Sequence, residues 1–115
     1  MTPGMTSAER LKVLADRTRL RVIEYLMERP HHVGELAALL EIEQSLLSHH
    51  LKVLREADLV VAVRNGKGVI YRLAPEAESL RTRKAIDLGA YQVLFENIER
   101  KKNSKDLQTK ANPTG

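Results

Sequence analysis

Through the first half of the chain, apolar residues return every three or four positions. Leu11, Val13 and Leu14 come first, then Leu20, Ile23, Leu26 and Met27, then Val33, Leu36, Ala37 and Leu40, and finally Leu46, Leu47, Leu51, Val53 and Leu54. This spacing predicts four amphipathic helices. Polar residues mark their ends. Thr6 and Glu9 form the T-x-x-E pattern of a capping box, and Asp16 stands where a second helix needs its cap. Pro30 ends that second helix, because the residue before a proline is pushed out of helical backbone. A short third helix reads "VGELAALLE", and "IEQ" turns the chain into a fourth over residues 44–56. Helix, short turn, helix in this pattern is a helix-turn-helix candidate.

After Asp58 the period changes. Leu59–Arg64 and Val69–Leu73 are rich in β-branched residues and flank "NGKG", so they are expected to pair as a hairpin around a tight Asn-Gly turn. Pro75 then opens a further helix, "PEAESLRTRKAIDLG", with acidic residues at its positive end. Two readings stay open past Gly89. The helix either breaks there, leaving "YQVLFE" extended with Tyr91, Val93 and Phe95 alternating, or runs on to about Lys101 with Tyr91, Leu94 and Ile98 as its stripe. A mid-helix glycine costs only about 1 kcal/mol, and the pattern slightly favours the break. Residues 102–115 are polar and patternless and read as a disordered tail, which leaves 6–101 as one domain.

On a helical wheel of residues 44–56, Leu46, Leu47, Leu51, Val53 and Leu54 gather on one side, with His50 inside their arc. Gln44, Ser45, Ser48, Lys52, Arg55 and Glu56 occupy the other side, with His49 near its edge. Adjacent helical residues do not face each other, so His49 and His50 cannot chelate one metal ion. His50 is expected to be half-buried, its ring packed and a nitrogen bonded to backbone. The polar side carries short neutral hydrogen-bonding groups at one end and cations at the other. That arrangement suits a helix whose Gln and Ser bond base edges while Lys and Arg reach phosphates. A solvated face is the plainer reading. The hairpin tip, Arg64-Asn65-Gly66-Lys67-Gly68, shifts the balance, because a basic wing beside such a helix can contact the backbone or minor groove.

Composition narrows the class without deciding it. The 115 residues carry 19 Lys and Arg against 15 acidic residues, a net charge of +4 that permits a nucleic-acid partner without requiring one. With aromatics at only 3%, the core must be aliphatic. The absence of cysteine excludes disulfides, thiolate metal sites and thiol nucleophiles. No apolar run nears the roughly 20 residues of a membrane span, and "MTPGMTSAERLKV" lacks the features of a secretion signal, so a cytoplasmic location is expected.

Taken together, "LADRTRLRVIEYL", "VGELAALLEIEQSLLSHHLKVLREADLV" and "VRNGKGVIYRL" resemble the winged helix-turn-helix repressors of the ArsR family over roughly residues 8–75. The resemblance implies a mainly α fold with a small β-hairpin, ordered α-α-α-α-β-β-α. It also implies a homodimer joined through its first and last elements, binding an inverted-repeat operator in double-stranded DNA. The implied DNA contacts are Gln44, Ser45, Ser48, His49, Lys52 and Arg55 on the helix, with Arg64 and Lys67 on the wing.

The departures concern the inducer. Where many relatives place Cys-x-Cys, this chain reads His32-Val33-Gly34. Its last segment has no histidine, and Ala90 and Tyr91 stand where some relatives carry paired cysteines. Arg17 replaces a common proline. No cofactor is implied. His31 and His32 are the one weak metal candidate, with Glu28 or Glu35 as possible helpers; the pair could instead sit near a phosphate at a helix start. Two other classes compete with DNA binding. One is a winged protein-interaction module without operator binding. The other is an enzyme built on Ser45, Ser48 and His49, which would lack an orienting carboxylate and a pocket.

Overall fold

The protein is described from a computed structural model covering residues 5–66, 68–79 and 84–96. The described residues form four helices: α1 (Ser7–Leu14), α2 (Arg17–Glu28), α3 (Val33–Leu40) and α4 (Gln44–Glu56). Both expected N-terminal caps form. The Glu9 amide donates to Thr6 Oγ1 at 3.0 Å while the Thr6 amide donates to Glu9 Oε1 at 2.8 Å. Asp16 Oδ2 accepts from the Arg19 amide at 2.9 Å. These bonds satisfy amides that a helix start otherwise leaves unpaired, each cap being worth about 1 kcal/mol.

The strands are β1 (His31–His32), β2 (Val60–Asn65), β3 (Gly68–Leu73), β4 (Ala85–Asp87) and β5 (Gln92–Leu94). The first three form an antiparallel sheet in the order β1-β3-β2, with Arg64 opposite Val69 and His31 opposite Tyr71. The wing is thus present, shifted one residue from expectation at its start and tip. Asn65 ends β2 opposite Gly68, and Gly66 takes the positive φ of 61° that closes the loop. The strand at His31–His32 was not foreseen. Two residues are too few for a pattern, and only the β3 edge makes them a strand.

The aliphatic stripes of the helices meet in one core. Val22, Ile23 and Leu26 of α2 pack with Leu36 and Leu40 of α3, Leu47, Leu51 and Leu54 of α4, and Leu59, Val60 and Leu73 of the sheet. Each such side chain contributes about 1.5–3 kcal/mol relative to exposure. Between α3 and α4, Glu41 adopts a left-handed φ of 57°. The amides of Glu41 and Ile42 then return to Ala38 and Ala37 carbonyls, and Ile42 packs on the core.

The segment after the wing corrects the sequence expectation. Where a helix was expected from Pro75 to Gly89, the described residues make a turn at 75–77 and pair β4 with β5, while residues 80–83 lie outside the described residues. The Asp87 amide donates to the Ala77 carbonyl at 2.8 Å, and Glu78 bridges Ile86. Ile86 and Leu88 are buried and join the aliphatic core. Gly89, at φ 103°, reverses the chain, and residues 92–94 are extended, as the alternation had favoured. The tail expected over 102–115 lies outside the described residues. No helix among the described residues is long and apolar enough to cross a membrane.

Candidate nucleic-acid interface

Helix α4 carries two unlike faces. Leu47, Leu51 and Leu54 are fully buried, whereas Gln44, Ser45, Ser48, His49, Lys52 and Arg55 are all exposed. One residue departs from the wheel. Leu46, expected inside, is 47% exposed, because it lies beyond the edge of the stripe centred on Leu47, Leu51 and Leu54. The helix therefore offers an amide, two hydroxyls, an imidazole and two cations, with one aliphatic group beside them.

The wing stands next in the chain. Arg64 is exposed near its tip, and Lys67 lies outside the described residues. His32 ties the wing to the helical unit: its Nδ1 lies 3.2 Å from the Val69 carbonyl, to which it donates. His32 also immediately precedes α3, so this bond links the start of the helix-turn-helix to the hairpin.

Behind the exposed face lies a set of contacts that sequence reasoning missed. His50 is half-buried as expected, but its Nδ1 accepts from Arg19 Nη1 at 3.1 Å rather than bonding to backbone. Arginine only donates, so the ring is neutral in this arrangement. Burial holds the His50 pKa below the usual histidine value, with the Arg19 charge acting in the same direction against the attraction of Asp16. Asp16 Oδ2 lies 3.9 Å from the same nitrogen. Its own pKa is lowered, chiefly by the hydrogen bond from the Arg19 amide. The His49 and His50 rings meet edge to face, 5.8 Å apart, although one is exposed and the other half-buried.

Arg19 Nε also donates to the Val13 carbonyl at 2.7 Å. Arg10, only 3% exposed, sends Nε to the Ala57 carbonyl at 3.0 Å, at the C-terminal end of α4. Its Nη2 lies 4.0 Å from Asp58 Oδ2 and has no hydrogen-bond partner among the described residues. One signal for Arg10 was present in the sequence: it lies four residues before Leu14, on the buried side of its helix.

The other histidine pair does not converge. Alternation along β1 buries His31 and exposes His32. His31 Nδ1 donates to the Arg29 carbonyl at 2.8 Å, and its ring meets Tyr25 edge-on at 6.0 Å. Burial, aided by the Arg29 charge, lowers its pKa. Glu35 is engaged by the Arg29 guanidinium. Among the described residues no group of three or more His, Asp or Glu side chains is assembled for a metal ion.

An exposed polar helix set behind a turn and followed by a basic hairpin defines a winged helix-turn-helix protein. Comparison with known proteins gives the family. The sequence profile described as "Bacterial regulatory protein, arsR family" matches residues 16–61. The chain is 46% identical over 68 residues to the HTH-type transcriptional regulator Rv0081 of Mycobacterium tuberculosis, covering 58% of this chain and 60% of that protein. The Rv0081 crystal structure superposes with a TM-score of 0.56, over 58% of this chain and 68% of the crystallised one. The HTH-type transcriptional repressor SmtB of M. tuberculosis is 40% identical over 68 residues, covering 59% of this chain and 50% of SmtB. The solution structure of the homodimeric winged helix-turn-helix DNA-binding domain of Mb0332 from Mycobacterium bovis has a TM-score of 0.57 at 30% identity, covering 61% of this chain and 66% of that one. This chain belongs to the ArsR family. It spans between one half and two thirds of the length of these curated relatives.

Proposed function

We propose that the protein is a dimeric, sequence-specific DNA-binding repressor of the cytoplasm, without catalytic activity. Each protomer inserts α4 into a major groove of an inverted-repeat operator. Gln44, Ser45, Ser48 and His49 read base edges, Lys52 and Arg55 hold phosphates, and Arg64 and Lys67 of the wing touch the adjacent backbone or minor groove. The observation that carries this reading is the division of α4 into a buried leucine stripe and a continuous exposed face of hydrogen-bonding and cationic groups. The dimer is supported by apolar side chains left exposed on α1 and the last strand pair, namely Leu11, Tyr91 and Leu94. The Ala90 amide donates to Ser7 Oγ at 3.0 Å and holds these two elements together. Such a patch on one protomer suits a second copy of the same patch.

The test is a fluorescence-anisotropy titration of the full chain against the DNA upstream of its own gene, at several salt concentrations. Binding that weakens steeply with salt is expected, since cations at the interface release counterions from the duplex. Ser48→Ala and Gln44→Ala are expected to alter the preferred base at one position, by about 1–3 kcal/mol. Unchanged affinity of Ser48→Ala for every operator variant rules out α4 as the reading element. The exposed Leu39 and Leu46 favour a second reading, a winged module that docks a protein through the turn region. Absence of any anisotropy rise with DNA at low salt would favour it.

A further inference from the structure

Helix α1 has two sides with different business. Leu11 faces outward at the patch described above, while Arg10 beside it points inward and is almost wholly buried. Arg10 Nε donates to the Ala57 carbonyl across 47 positions of sequence. Seven residues earlier on the same helix α4, His50 accepts from Arg19, whose Nε holds the Val13 carbonyl near the end of α1. Helix α1 is therefore braced to α4 at two points about two helical turns apart. A guanidinium suits both places. It presents several donors in a fixed plane, and at Ala57 its charge meets the negative end of the α4 dipole.

Two braces fix a direction, whereas one fixes only a point. Helix α4 has 13 residues and is about 20 Å long, so a tilt of about 10° moves its far end by about 3.5 Å, the rise of one base-pair step. Resting on the dimeric DNA-binding reading above, we infer that Arg10 and Arg19 are positioning residues that lock the angle of α4 to the α1 interface. They thereby set the distance between half-sites that the dimer accepts. Neither residue contacts DNA, and neither contributes to the choice of base.

The test uses the full chain and the DNA upstream of its own gene, trimmed by footprinting to the protected segment. Duplexes are made with the two half-sites moved together or apart by one and two base pairs. A second set keeps the spacing and changes single bases within a half-site. Wild type is expected to show one spacing optimum. Arg19→Lys and Arg10→Lys keep a cation but lose the planar fork, and His50→Ala removes the α4 acceptor while leaving both arginines.

Each variant is expected to bind the optimal duplex about tenfold more weakly, in keeping with the loss of one charged hydrogen bond. Discrimination against the shifted duplexes is expected to fall to within about threefold. Base preference within the half-site stays as in wild type. A variant that is folded by circular dichroism, binds more weakly and retains the full spacing preference overturns the inference, as does one with altered base preference. Should Arg10→Lys fail to fold, Arg19→Lys and His50→Ala decide. Wild type that binds but tolerates every spacing also overturns it. Wild type that binds no duplex refutes the DNA-binding reading instead, so the two failures are distinct.

Discussion

The molecule contains two His-His pairs, one on a strand and one on a helix, and both are split by the geometry of their backbone. On β1 the period of two sends His31 inward and His32 outward. On α4 the turn of about 100° per residue leaves His50 half-buried and His49 exposed. The inward members differ in protonation pattern. His31 donates from Nδ1 to a carbonyl, whereas His50 accepts at Nδ1 from an arginine. The outward members differ in task. His32 fastens the wing through Val69, and His49 lies on the exposed polar face of α4. A repeated dipeptide thus says little about chemistry until its element is known, and neither pair is arranged as a chelate.

This contrast can be broken in order of expected effect. His31→Ala removes a buried ring with its Tyr25 contact and its carbonyl bond, and is expected to destabilise the fold by about 2–4 kcal/mol in urea denaturation. A loss below about 0.5 kcal/mol would mean that the buried position carries no more weight than an exposed one. Acidification comes next. The folded-state pKa values of His31 and His50 lie below the ordinary 6.5, so the unfolded chain takes up protons first as pH falls. Stability present above pH 6.5 is therefore expected to decline from there down through the lower folded-state values. Asp16 and Glu35, whose pKa values lie below the ordinary 3.8 and 4.5, add their losses only at more acidic pH. Melting temperatures between pH 8 and pH 5 check this, and the double variant His31→Asn, His50→Gln is expected to flatten the curve.

Smaller effects separate the α4 pair. His50→Ala is expected to cost about 1–2 kcal/mol of stability, from a half-buried ring and one charged hydrogen bond. His49→Ala is expected to leave the melting temperature unchanged while weakening operator affinity about tenfold. Equal stability losses for the two would erase the distinction between inner and outer faces. Least of all, His32→Ala is expected to cost under about 1 kcal/mol, since its bond is exposed and 3.2 Å long. Faster amide exchange confined to the wing residues near Val69 is the signature to measure.

The turn at Glu41 and the strap at Arg10 mark how far the sequence could be read. The limits of α4 at Gln44 and Glu56, the Thr6–Glu9 box and the Asp16 cap were all legible, because each depends on partners three or four residues away. The exposed set Gln44, Ser45, Ser48, His49, Lys52, Arg55 and Arg64 was legible for the same reason. Leu46 was not, because a wheel gives the direction of a side chain but not how far the neighbouring elements extend to cover it. Ala85–Asp87 falls inside a segment whose sequence suggests a helix, because Pro75 and the acidic residues after it suit a helix start. The alternative rests on hydrogen bonds to Ala77 and to β5, which no local pattern displays.

The sequence by itself determined that four segments coil before the wing, where α1, α2 and α4 begin, which face of α4 is polar, and where the hairpin turns. Those features follow from short-range sterics, capping and periodic burial. Only the tertiary structure decided that His31–His32 is a strand, that residues 85–87 pair rather than coil, and that two arginines of the N-terminal helices hold the fourth. Each of these depends on groups tens of positions apart, 47 in the case of Arg10 and Ala57 and 31 in that of Arg19 and His50. Their partners are chosen by how the packed elements bring backbone and side-chain polar groups together, since a buried donor or acceptor must find its counterpart wherever the fold has placed it.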